Sequence, residues 1–122
     1  MKVLLAGGGT GGHINPALAI ASIIKQHEPS AEFLFVGTPN GMEARLVPQA
    51  GYRMETMHVA GFQRKLSWKN IRRNCKAAYY LATSQHRAKQ ILKQFQPDIA
   101  IGTGGYVAGP ILHAAAHMGI PC

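Results

Sequence analysis

Val3-Leu4-Leu5-Ala6-Gly7-Gly8-Gly9-Thr10-Gly11-Gly12-His13 is the stretch that decides how the remaining residues can fold. Apolar residues in an unbroken run, without alternation, read as a strand buried on both faces, which is the habit of parallel sheets. The glycines that follow lack a Cβ, so backbone N–H groups there can come close to a ligand. A helix starting near Pro16 would aim its free N–H groups and positive dipole end at the same spot. Strand, glycine loop and helix N-terminus in that order make an anion site, usually for phosphate.

Two known loops fail to account for it. Gly7-x-Gly9-x-x-Gly12 fits the dinucleotide fingerprint, which also needs an acidic residue at the end of the second strand to hold a ribose. Here that strand, Glu32 to Gly37, runs out into Thr38-Pro39-Asn40, and Glu32 stands at its wrong end. A Walker A loop would place Lys after Gly12, where this chain has His13. The shape suits phosphate, but the chemistry is neither that of NAD nor that of ATP.

The pattern then recurs. Asp98-Ile99-Ala100-Ile101 leads into Gly102-Thr103-Gly104-Gly105-Tyr106, and a helical run follows from Val107 to Met118. Thr-Gly-Gly stands at 10–12 and again at 103–105, each time after a strand and before a helix. In a parallel sheet every strand-to-helix loop lies at one edge, so the two loops can converge on one diphosphate.

The segments between are consistent with this. Lys2–Ala6 reads as the first strand, followed by a helix with Leu18, Ile20, Ala21, Ile23 and Ile24 that ends near His27. Further strands are expected over Glu32–Gly37, Tyr52–Met57 and Ile99–Gly102. A short helix over Met42–Val47 would be stopped by Pro48. A long helical stretch is expected from Asn70 to about Phe95, ending at Gln96-Pro97. Strand and helix alternate throughout, which predicts a doubly wound parallel α/β sheet of Rossmann-like type. Gly119-Ile120-Pro121 reads as a turn into another strand, so the 122 residues are expected to be one domain cut before its last strands.

Composition narrows the partners. With 47% apolar and 15% charged residues the chain is globular rather than disordered. No apolar run reaches the roughly 20 residues of a membrane-spanning helix, and no leader is evident at the N-terminus. Cys75 and Cys122 make no disulfide framework or metal spacing and are expected as free thiols. A formal charge of +8 points to an acidic partner. Between Thr56 and Pro97 there is no acidic residue, while Arg64, Lys65, Lys69, Arg72, Arg73, Lys76, Arg87, Lys89 and Lys93 all fall there.

Three groups of side chains are candidates for function. His13, at the mouth of the first loop, could act as a general base or donate to a phosphate; its bland alternative is a helix cap. Lys69, Arg72, Arg73 and Lys76 share one helix face. Trp68, Tyr79 and Tyr80 flank them, with Phe62 and Leu66 just upstream. Cations beside apolar groups suit an anionic membrane interface, and a solvated basic face is the competing reading. Nucleic acid is not expected, because no base-reading motif is present. His113 and His117 could pair on a metal, but no third ligand is near in sequence.

The whole constellation resembles the MurG family of bacterial UDP-N-acetylglucosamine transferases. The resemblance rests on Gly7-x-Gly9-Thr10-Gly11-Gly12-His13-x-x-Pro16-Ala17, Gly37-Thr38, Met42-Glu43-Ala44-x-Leu46-Val47-Pro48 and Gly102-x-Gly104-Gly105-Tyr106-Val107-x-Gly109-Pro110. It implies the N-terminal, acceptor-binding half of a GT-B glycosyltransferase, without the C-terminal donor domain. The implied reaction moves GlcNAc from UDP-GlcNAc to the C4 hydroxyl of MurNAc in lipid I, with inversion and with neither metal nor cofactor. The resemblance assigns the acceptor pyrophosphate to Gly8, Gly9, Gly104, Gly105 and Tyr106, the donor sugar to Thr10, Gly11 and Gly12, and activation of the hydroxyl to His13. It implies a membrane patch of Phe62, Leu66, Trp68, Lys69, Arg72, Arg73, Lys76 and Tyr80, and a peripheral place on the cytoplasmic face of the cell membrane. A non-catalytic module binding phosphate or anionic lipid is the alternative from another class.

Overall fold

The computed structural model describes residues 1–7, 11–39, 41, 43–57, 85–104 and 107–122. The order of elements is β1 (Lys2–Gly7), α1 (Gly11–His27), β2 (Glu32–Gly37), α2 (Glu43–Gln49), β3 (Arg53–Thr56), α3 (helical residues 85–95), β4 (Ile99–Gly104) and α4 (Ala108–His117). The strands form a parallel sheet in the order β3-β2-β1-β4. The doubly wound parallel sheet expected from the alternation is therefore present.

Side chains on a strand alternate between faces, and β1 shows what that does in a sheet covered twice. Leu4 and Ala6 join a buried cluster with Ala88, Ile91, Leu92 and Phe95 of α3 and with Ala108, Ile111, Ala114 and Ala115 of α4. Val3 and Leu5 join another with Ile14, Ala17 and Ala21 of α1 and Val47 of α2. Helices α1 and α2 thus cover one face, and α3 and α4 the other. Each fully buried large apolar side chain contributes roughly 1.5–3 kcal/mol, so these layers dominate the stability of the sheet.

Boundaries moved where packing outweighed local preference. Helix α1 begins at Gly11, not near Pro16, and Pro16 lies inside it. Ile14, Ala17 and Ala21 form a stripe that is fully buried. Burying Ile14 requires helix before the proline, and that gain outweighs the bond that Pro16 cannot donate. Helix α2 likewise runs through Pro48 to Gln49. It is closed by Gly51 at φ 88, with the Gly51 N–H donating to the Pro48 carbonyl (3.0 Å) and the Tyr52 N–H to that of Val47 (3.3 Å). This is the paired closure of a Schellman motif, and Gly119 at φ 74 repeats it after α4. Strand β4 extends to Gly104, two residues past the expected Gly102. The expected turn at Gly119–Pro121 is present, and the Pro121 carbonyl accepts the Ala100 N–H at 2.9 Å. Of the long helix expected from Asn70, the part before residue 85 lies outside the described residues.

A pair of glycine substitutions separates backbone strain from packing. A Cβ at Gly51 or at Gly109 would meet nothing within 4 Å, but only Gly51 has a positive φ. Gly51→Ala should therefore destabilise by about 1–2 kcal/mol, and Gly109→Ala, inside α4, should stabilise by about 0.5–1 kcal/mol. Urea unfolding should show the midpoints moving in opposite directions from wild type.

Candidate functional site

Register decides where the strands end. Ala6 pairs with Val36 on one side and with Gly102 on the other; Gly7 pairs with Gly104, and Gly37 with Thr56. Thr56, Gly37, Gly7 and Gly104 therefore stand in a row at the carboxyl edge of the sheet. The two glycine loops leave from neighbouring strands, about 4.8 Å apart. Between β1 and β4 the winding also reverses, since the chain after β1 runs to β2 on one side while β4 lies on the other. Ligands of open α/β sheets bind in the crevice outside such a switch point.

Backbone geometry at this edge is specialised. The register shifts between Ala6 and Gly7, so that β4 spends Thr103 as an extra residue before Gly104. Gly104 has φ 122, a conformation that side chains with a Cβ rarely adopt. Gly102 lets α4 lie close on the sheet, because a Cβ there would come within 2.7 Å of Leu112 Cδ1. Helices α1 and α4 start at this edge, and neither carries an acidic residue in its first turn. Val107, the N-cap of α4, supplies no side-chain cap. Neither dipole is thus offset by a carboxylate of its own first turn.

The neighbouring β2–α2 loop is handled in the opposite way. Glu43, in the first turn of α2, is fully buried and is the one buried charged residue among those described. Its Oε1 accepts both the Thr38 N–H and the Thr38 hydroxyl, each at 2.7 Å. The loop wraps closely around it, since a Cβ at Gly37 or at Gly41 would overlap the Glu43 side chain. The Ala44 N–H donates to the Gly41 carbonyl at 3.2 Å, closing the turn into the helix. Sequence reading quoted Glu43 within a motif but gave it no role. The available signal was a carboxylate at a helix start with glycines on either side of the preceding turn.

The model of the glycosyltransferase family 28 N-terminal domain matches residues 3–122. The chain belongs to this family. It is 50% identical over 121 residues to the UDP-N-acetylglucosamine–N-acetylmuramyl-(pentapeptide) pyrophosphoryl-undecaprenol N-acetylglucosamine transferase of Limosilactobacillus fermentum, covering 99% of this chain and 32% of that protein. The enzyme of the same name from Ruminiclostridium cellulolyticum is 55% identical, again over 99% of this chain and 32% of its own length. The family 28 chain thus spans about a third of the curated relatives it matches. The crystal structure of Acinetobacter baumannii MurG superposes with a TM-score of 0.78 at 33% identity, over 98% of this chain and 33% of that one. LpCGTa, crystallised in complex with UDP, shares the fold at a TM-score of 0.64 and 19% identity, over 98% of this chain and 29% of its own. The reading as the N-terminal half of a GT-B glycosyltransferase holds.

Individual site residues fall unevenly. Gly11, Gly12 and His13 form the first turn of α1, so His13 lies within the helix rather than ahead of it. Gly104 ends β4. Gly8, Gly9, Thr10, Gly105 and Tyr106 lie outside the described residues, as do Phe62, Leu66, Trp68, Lys69, Arg72, Arg73, Lys76 and Tyr80, and with them Cys75. Cys122 is an exposed free thiol. The rings of His113 and His117 meet edge to face with centroids 4.5 Å apart. Among the described residues no cluster of three or more potential ligands could hold a metal ion. A hollow of about 120 Å³ lined by Lys2, Glu32, Arg53 and Glu55 opens at the opposite, amino edge and has no part in this site.

The grip on Glu43 can be measured. Thr38→Val removes one of the two donors to a buried carboxylate oxygen and keeps the side-chain volume. It should destabilise by about 1.5–3 kcal/mol, the worth of a hydrogen bond to a charged group. Thr38→Ser, which keeps the hydroxyl, should lose less than half as much in chemical denaturation.

Proposed function

We propose that this chain is the acceptor-binding part of an inverting transferase that moves GlcNAc from UDP-GlcNAc to lipid I, giving lipid II for peptidoglycan. The observation that carries the proposal is the pairing of Gly7 with Gly104. It starts both glycine loops side by side, next to the N-termini of two helices without first-turn acids. That arrangement suits the pyrophosphate of a lipid-linked acceptor. Gly8, Gly9, Gly104, Gly105 and Tyr106 would hold it, and Thr10, Gly11 and Gly12 would lie near the donor sugar.

The chemistry then needs one proton acceptor. His13, in the first turn of α1, takes the proton from the MurNAc C4 hydroxyl as its oxygen attacks the anomeric carbon of GlcNAc. The bond from that carbon to UDP breaks, UDP leaves with the electron pair, and configuration inverts. Most contacts to the nucleotide belong to a second, C-terminal domain across the cleft. In the full-length enzyme, His13→Ala should lower kcat by ~10²-fold, within the range of general base catalysis, while the acceptor KM changes much less. Steady-state kinetics with a lipid I analogue checks this, and an unchanged kcat would remove His13 from the chemistry.

The same reading places the enzyme at the inner, cytoplasmic face of the membrane as a peripheral protein. No helix among the described residues is long and apolar enough to cross a bilayer. Attachment would rest on Phe62, Leu66, Trp68 and Tyr80 with Lys69, Arg72, Arg73 and Lys76. Each cation near an anionic surface contributes roughly 1 kcal/mol, and salt screens it. Co-sedimentation should show binding to vesicles containing phosphatidylglycerol or cardiolipin and little to neutral ones. Reversing the four cations to Glu should abolish it without unfolding the protein. Equal binding to neutral vesicles would defeat the electrostatic part.

A further inference from the structure

We infer that the buried Glu43 carboxylate is a positioning residue for His13, an inference that rests on the transferase reading above. Three observations connect them. Gly37 follows Val36, the partner of Ala6, so the β2–α2 loop leaves the sheet beside the point where Gly7 begins the β1 loop. Glu43 fixes that loop from within, holding the Thr38 N–H and hydroxyl on one oxygen while Gly37 and Gly41 close over it. One helical turn further on, Val47 is fully buried in the same cluster as Ile14, the residue after His13.

A packed path therefore runs from the carboxylate to the helix turn that bears the proposed base. Glu43 anchors the start of α2. Helix α2 carries Val47 at a fixed depth, and Val47 shares its packing with the first turn of α1. Close-packed interiors pass on such displacements instead of absorbing them. A catalytic group set about 1 Å out of place can lose up to ~10²-fold in rate without losing its ligands. A purely structural carboxylate, by contrast, would matter only to the folded fraction.

The test uses the full-length enzyme well below its unfolding temperature. Glu43→Gln keeps the shape but turns one acceptor into a donor pair facing the Gly41 backbone. It should fold, lower kcat about 10-fold and leave both KM values within about threefold. In a His13→Ala background the same change should cost less than about twofold, since the group being positioned is gone. Hydrogen exchange should quicken in peptides covering residues 7–16 as well as 37–43. Should Glu43→Gln fail to fold, Thr38→Val loosens the same grip, and a loss of kcat in the same direction with unchanged KM is required of it. Wild-type kcat in a folded variant, or faster exchange confined to residues 37–43, overturns the inference. Absence of turnover in the wild-type enzyme would sink the transferase reading instead, and the exchange experiment does not depend on it.

Discussion

The parallel pairing of β1 with β4 is the contact on which the rest depends. It puts β1 in the middle of the sheet, with β2 on its other side, and so exposes neither of its edges. A strand in that place must be apolar on both faces, which the run Val3 to Ala6 supplies with complete burial. Both faces then need helical cover, and the chain must wind in two directions to provide it. The reversal of winding falls between these same strands, so one pairing sets both the centre of the core and the place of the crevice.

Charge follows from that placement. Helices that start at the carboxyl edge bring partial positive charge to it, and the chain can cancel that charge or leave it exposed. At α2 it is cancelled by the buried Glu43. At α1 and α4, which flank the glycine loops, the first turns contain no acid. Helix ends of this kind, in a chain of net charge +8, suit the diphosphate of the proposed acceptor. The contrast between α2 and its neighbours is that only the α2 start carries a buried carboxylate.

Much of this was legible in the sequence because its cause is local. Unbroken apolar runs gave the strands, and the repeated Thr-Gly-Gly placed both loops after strands and before helices. What was not legible was decided by distant partners. Pro16 argued for a helix start, but Ile14 had a buried place waiting on β1's face of the sheet, and the helix reaches back to Gly11. Gly102 marked a strand end by composition, yet pairing with β1 carries β4 on to Gly104 through a bulge. Glu43 was hidden for a similar reason. A glutamate at the start of a helix is ordinarily a solvated partner for the dipole, and nothing in one dimension reveals that a loop will close over it.

The proposed site, built largely from backbone, has a consequence for how such chains can vary. N–H groups and glycine contours do not depend on side-chain identity, so an anion site of the proposed kind would constrain few positions. The remainder need only keep the sheet covered. The A. baumannii structure differs at two thirds of its matched residues yet superposes with a TM-score of 0.78. Substitution is costly where backbone conformation itself is unusual, as for Gly104 at φ 122, and where a loop is moulded on one side chain, as Gly37 and Gly41 are on Glu43. In the proposed reaction His13 differs in kind, because a proton acceptor cannot be made from backbone. A base proposed at this position would depend on the packing beneath the first turn of α1, where Ile14 is fully buried.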